Sequence, residues 1–293
     1  MKHSHPLLRR SLLAARGSLL ALLGALPSCA TLVEPREPWA SEVGEELPGT
    51  ADLDRALGRV VRDGRVDYAL LLSEPEDLER YYARLARVSP RSHPELFESE
   101  QERLAYWINA YNACAMLSAM RELPLESVRD LGVPWYLFFL PDLAGFFVLR
   151  EHLLGGESWS LYALENDIVR EEFGDPRIHF ALNCASESCP RLPAQAFRAR
   201  ELDQELERET RRFFAESRNL RIDHDERRIV LSQILEWYEE DFTSWLAERA
   251  HTEPSLLDYV ALYAPPELAQ ELRGRAAEYE LSFTPYDWGL NAR

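Results

Sequence analysis

Lysine is all but missing from this chain. Lys2 is the only one among 293 residues, and arginine supplies every other strong base. That absence excludes a lysine Schiff base and the phosphate-gripping lysine of a P-loop from everything after residue 2. Positive charge is scarce altogether: 33 Lys and Arg face 50 Asp and Glu, for a net charge of −17. A surface this negative repels nucleic-acid phosphates and anionic lipid headgroups, so a nucleic-acid partner is excluded and the acidity reads as solubility. Long apolar runs are also lacking. Residues 18–26 are too few to span a bilayer, and the richest later stretch, 133–149, is broken by Pro134, Pro141, Asp142 and Gly145 and reads as core strand and loop. There are four cysteines: Cys29, Cys114, Cys184 and Cys189. No familiar zinc spacing completes a ligand set around His179, Cys184 and Cys189, so neither a metal nor another cofactor is expected.

What is present starts with an address. Lys2, Arg9, Arg10 and Arg16 precede the short apolar run, and Leu26-Pro27-Ser28-Cys29 follows it. A small residue before cysteine at the end of such a run is the processing pattern of a bacterial lipoprotein. Residues 1–28 therefore read as a signal peptide and Cys29 as the lipidated N-terminus of the mature chain. The alternative is ordinary secretion with Cys29 incidental. The expected location is the periplasm or cell surface, anchored to the outer membrane through lipid alone. Residues 29–49, with Pro35, Pro38, Pro48 and several glutamates, read as a flexible tether. Residues 50–293 read as one domain without internal repeats.

Apolar periodicity predicts a helix from Thr50 carrying Leu53, Leu57, Val60 and Val61 and stopped by Gly64. It predicts further helices over 77–88, 100–122, 160–173 and 202–217. The 100–122 helix carries a stripe of Leu104, Ile108, Tyr111 and Ala115. Strands are expected at 146–149, 177–182 and 279–283, with a hairpin joining 220–223 to 228–231. Ser232 reads as the cap of a helix through Trp245, and two short helices separated near Pro265 and Pro266 follow. Helices and strands interleave without a βαβ rhythm, so the expected class is α+β: one helix-rich domain with a small, mainly antiparallel sheet.

The segment Arg177 to Pro190 concentrates the chemistry. A strand running into a loop with two thiols is a place where reactive groups are held. Cys184 reads as a nucleophile if a histidine stabilises its thiolate. His179 lies five residues away, roughly 16 Å if extended, so it serves Cys184 only where the loop doubles back. Otherwise His93, His152, His224 or His251 takes its place. Two other readings stand beside this one: a Cys184–Cys189 disulfide in an oxidising compartment, and a pair of inert buried thiols. Asn109 and Asn112, three apart on the 100–122 helix, share a face. They are candidates for orienting a catalytic group, though holding a neighbouring loop is the commoner role of buried amides. Glu165 is a candidate acid or orienting carboxylate whose position also suits a solvated helix face. The clusters Trp237-Tyr238-Glu239-Glu240-Asp241-Phe242 and Tyr286-Asp287-Trp288 read mainly as packing.

Several of these strings resemble the domain-of-unknown-function 547 family. They are Gly64-Arg65-Val66-Asp67-Tyr68, Trp107-Ile108-Asn109-Ala110-Tyr111-Asn112, the run from Pro176 through His179 and Cys184 to Ser186, Ser188-Cys189-Pro190, Leu235-Glu236-Trp237-Tyr238 with Asp241-Phe242, and Tyr286-Asp287-Trp288. This chain has Glu165-Asn166 where the family often carries Glu-His. The resemblance implies no established activity; a papain-like or transglutaminase-like thiol fold is an analogy only.

Two functional readings follow. One is a thiol-dependent hydrolase or acyl transferase on peptide or amide substrates in the cell envelope. In it Cys184 attacks, His179 takes the proton, and Asn109, Asn112 or Glu165 position groups. The other is a non-catalytic envelope domain that binds a peptide or protein ligand and is stapled by Cys184–Cys189.

Overall fold

The computed structural model describes residues 30–134, 137, 140–249 and 253–293. The signal segment, Cys29, His251 and part of the 133–149 stretch lie outside them. The fold below is that of the unit 32–293.

Its axis is a 22-residue helix, Glu100–Arg121. Ser99 and Glu102 form a capping box that satisfies the first free amides. Every residue from 104 to 120 is buried, so the helix is enclosed on all sides rather than along one stripe. Ala105, Ala110, Ala113, Ala115 and Ala119 leave room for neighbours to approach, while Trp107 and Tyr111 fill the larger gaps. Around it stand α1 (Ala51–Val60), α2 (Tyr68–Ser73), α3 (Glu76–Arg87) and, after the long helix α4, a helix over 161–173, α5. Ser160 caps α5, whose middle, Leu164–Arg170, winds as a π-helix.

A second apolar cluster lies under α6 (Leu202–Ala215) and three later helices: α7 (Glu239–Ala247), α8 (Leu256–Tyr263) and α9 (Pro266–Arg275). The segment 176–182 joins the two. Ile178 and Ala181 pack into the first cluster and Phe180 into the second. This segment is not the expected strand. Asp175 accepts from the Arg177 amide, Pro176 follows, and a 3-10 helix, Pro176–Phe180, results. The Asp-Pro helix start prevails because apolar residues on both sides of the segment are buried, so no face has to alternate.

Strands are short and fall into three small sheets. Strands β1 (Val61–Arg62) and β2 (Arg65–Val66) make a hairpin, β3 (Arg150–Leu154) and β4 (Glu157–Ser160) another, and β5 (Leu220–Asp223), β6 (Arg228–Ser232) and β7 (Glu280–Thr284) a third. The β5–β6 hairpin forms as expected, but β7 joins β6 in parallel. The α+β class holds.

Other local expectations are corrected. Residues 144–147 form a short helix, and the strand follows it as β3. Gly64 does not stop α1; Asp63 and Gly64, both at positive φ, make the two-residue turn of the β1–β2 hairpin. The helix from Ser232 breaks at Tyr238. Part of the expected tether is tied down: Val33 and Val43 are buried, and the Tyr82 hydroxyl and Arg121 bond the Val33 and Glu34 carbonyls. Two apolar side chains and two backbone acceptors suffice to dock a proline-rich segment whose composition alone reads as free.

Candidate functional site

Asn112, on the central helix, pins the start of the cysteine loop at two points. Its Nδ2 donates to the Ala181 carbonyl at 2.9 Å, and its Oδ1 accepts from the Asn183 amide at 2.7 Å. Asn183 then folds the loop back. Its Oδ1 accepts from the Ala185 amide and from Asn291, and its Nδ2 donates to the Pro190 carbonyl at 2.8 Å. Asn291 is held in turn by the Tyr68 hydroxyl at 2.9 Å. Between these anchors Ala185 sits at φ +64°, a left-handed conformation costly for a residue with a Cβ and held here by bonds on both sides.

The doubling-back brings Cys184 and Cys189 together as a disulfide. The Cys184 amide donates to Cys189 Sγ at 2.9 Å, and Ser186 Oγ lies 2.8 Å from Cys184 Sγ. The Tyr286 hydroxyl lies 3.1 Å from Cys189 Sγ and 3.3 Å from Cys184 Sγ. A disulfide sulfur has no proton, so these hydroxyls are the donors. Tyr286 packs against Trp237 and Trp288, which holds its hydroxyl beside the sulfurs. A pocket of about 200 Å³ opens beside them, with Cys189, Ser186, Asn183 and Asn291 in its wall.

A separate acid–base cluster surrounds His179. Its Nε2 lies 2.8 Å from Asp241 Oδ2, and Arg170 grips both oxygens of that carboxylate at 2.7 and 2.8 Å. Burial pushes the Asp241 carboxyl up, but the bonds from His179 and Arg170 outweigh it and hold the group well below the ordinary carboxylate range. Arg170 also donates to Asn166 Oδ1 at 2.5 Å. The His179 ring stacks on Tyr238 with centroids 4.0 Å apart. The Tyr238 hydroxyl donates to one oxygen of Glu165, and Tyr111 donates to the other at 3.2 Å. Burial, then the Glu165 charge, raise both phenols well above their ordinary values. Glu165, Asn166 and Arg170 all come from the π-helical part of α5, a distortion that often marks functional sites.

The expected site residues thus divide. Cys184 meets Cys189, Ser186 and Tyr286, not His179, with which it makes no hydrogen bond. His93, His152 and His224 bond Ser92, Ser118 and Tyr279 respectively. Asn109 clamps the backbone of Phe197, accepting from its amide and donating to its carbonyl, so both asparagines hold loops. Glu165 is no solvated helix face but the acceptor of two phenols, the buried Tyr111 and the partly buried Tyr238. Sequence reasoning missed Tyr111, Tyr238, Asp241 and Tyr286 as polar partners. Their clusters were visible, but an aromatic beside an acid looks the same whether it packs or bonds.

Residues 96–214 match the family described as Protein of unknown function, DUF547. Through that segment the chain is similar to the DUF547 family. The DUF547 match takes in the central helix, the π-bulged helix and the whole cysteine loop. Tyr238, Asp241 and Tyr286, which complete the geometry, come from beyond it. No curated protein and no solved structure matches the chain. Among the described residues no His, Cys, Asp or Glu cluster is arranged to hold a metal ion, and no helix is long and apolar enough to cross a membrane.

Proposed function

We propose that this chain is a thiol-dependent hydrolase or acyl transferase of peptide or amide bonds, with its thiol stored as the Cys184–Cys189 disulfide. The observation that carries this reading is the placement of the disulfide. Cys189 lines the pocket, and both sulfurs are bedded on the Ser186 and Tyr286 hydroxyls, with Ser186 closer to Cys184. An external dithiol entering the pocket would attack Cys189, leave as a disulfide after a second exchange, and hand two electrons and two protons to the pair. The departing Cys184 sulfur would be received by the Ser186 and Tyr286 hydroxyls. Arg218, which donates to the Cys189 carbonyl at 3.2 Å, adds positive potential that favours a thiolate. The Cys184 thiolate would then attack a carbonyl carbon and the C–N bond would break. The amine would leave carrying the proton the thiol gave up, and water or a second amine would take the acyl group. His179, held by Asp241 and stacked on Tyr238, positions that phenol rather than touching the thiol.

A dithiol-treated sample, challenged with iodoacetamide and mapped by mass spectrometry, is expected to label at Cys184 faster than at Cys114, whose thiol burial pushes well above its ordinary pKa. An activated amide or thioester substrate is expected to leave an acyl adduct on Cys184 only after reduction. Absence of both label and adduct on Cys184 in reduced protein would sink the proposal.

A second reading, a binding domain in which the disulfide is a staple, is favoured by the density of backbone ties around the loop. Under it, reduction lowers stability and produces no adduct. Either way we place the domain in the cell envelope, because Cys29 follows a lipoprotein-type leader. The wild-type protein is expected in the membrane fraction and Cys29→Ser in the soluble fraction or as uncleaved precursor. Several acyl chains on one residue anchor stably where one alone does not. Wild-type protein recovered wholly soluble, with an unmodified Cys29, would refute the anchor.

A further inference from the structure

The Gly64-Arg65 turn plays no part in the thiol chemistry just described, yet it forms one wall of the pocket. In a chain with far more acids than bases, three arginines gather there: Arg65, Arg191 and Arg218. Each is braced. Arg65 donates to the Ala292 carbonyl and pairs with Glu187. Arg218 donates to the Glu187 and Cys189 carbonyls and pairs with Glu216 at 2.6 Å. Arg191 is held through Nε by Glu216, and its stem lies directly across Gly64. A Cβ at Gly64 would fall 2.6 Å from Arg191 Cβ, so only glycine, at φ +80°, lets that stem take its course.

Bracing through Nε leaves both terminal amino groups of Arg191 without a partner among the described residues. Its side chain is 35% exposed, so these groups are reachable from solvent. A planar fork with two free, parallel donors matches the two oxygens of a carboxylate. Asp63 and Glu187 also line the pocket. They make it a poor host for a multiply charged anion and a better one for a single carboxylate followed by amide groups. A volume of about 200 Å³ falls below the roughly 300–1,000 Å³ of clefts that enclose whole drug-sized ligands, so the pocket takes the end of a ligand rather than all of it.

We infer that this pocket binds the free carboxylate of a peptide end, with Arg191 as the bidentate partner and Arg65 and Arg218 supplying the surrounding positive potential. Its role as a substrate subsite rests on the thiol reading, since Cys189 shares the same wall. Binding itself does not. The full-length protein, titrated by calorimetry with acetyl-glycyl-glycine and with the C-terminal amide of the same peptide, is expected to bind the acid at least tenfold more tightly. Arg191→Met, which keeps the stem over Gly64 and removes the fork, is expected to abolish that preference. Equal binding of acid and amide, no binding of either, or an acid preference that survives Arg191→Met would overturn the inference. So would inorganic phosphate competing better than the acid. A preserved acid preference in protein that forms no acyl adduct after reduction would leave the pocket assignment standing and remove the hydrolase reading instead.

Discussion

Asn112→Ala is expected to lower the free energy of unfolding by about 2–5 kcal/mol, because it leaves two buried backbone groups, the Ala181 carbonyl and the Asn183 amide, without partners. Each such loss costs about 1–3 kcal/mol. The shift in Tm should be on the order of 10 °C for a domain of this size. The same change unties the cysteine loop where it leaves the 3-10 helix. In dithiol-treated protein, alkylation of Cys184 should therefore lose its advantage over Cys114 even below the new Tm. Asn112→Asp separates the two bonds, since an aspartate still accepts from the Asn183 amide but cannot donate to Ala181. Thermal unfolding of the three proteins side by side settles the matter. An Asn112→Ala variant within 0.5 kcal/mol of wild type would mean the clamp is dispensable.

The second large effect is on acid stability. His152 is fully buried; its Nε2 lies 2.8 Å from Ser118 Oγ, and its Nδ1 finds no partner among the described residues. Burial above all, then the nearby Arg150 charge, bring its pKa down to about 3. An unfolded histidine titrates near 6.5. Above that pH both states are neutral and His152 contributes no slope. Between about 6.5 and 3 the unfolded chain holds a proton that the folded one refuses, so stability falls as pH drops, at up to about 1.4 kcal/mol per unit. Asp241 acts lower in the range: its depressed carboxyl stabilises the fold above the unfolded value near 3.9, and that contribution is lost as pH falls below it. Denaturant titrations at pH 7.5, 5.5 and 4.5 should show the His152 slope. His152→Gln, whose amide reaches toward Ser118 without taking a proton, should flatten it. An unchanged slope in that variant would assign the acid sensitivity elsewhere.

What the sequence by itself determined is whatever rests on local pattern. Helices with one apolar stripe, such as α1, α3 and α6, are legible because 3.6-residue spacing decides which face is buried before any neighbour is known. The hairpin β5–β6 is legible from its turn, and the α+β class from the irregular order of elements. The cysteine loop stands out from composition alone as a candidate site. The 3-10 helix at 176–180 was not legible, because two apolar clusters enclose it and burial on every side erases the alternation that marks a strand. Nor was the parallel pairing of β7 with β6, which joins residues some fifty positions apart. The site divides in the same way. His179, Cys184, Asn112 and Glu165 could be named, but their partners could not. The tertiary structure gives His179 to Asp241, Cys184 to Tyr286, and Glu165 to two phenols. Hydrogen bonds of this kind join positions separated by 54 to 102 residues, and no periodicity in the chain encodes which distant side chain a fold will carry to hydrogen-bonding distance.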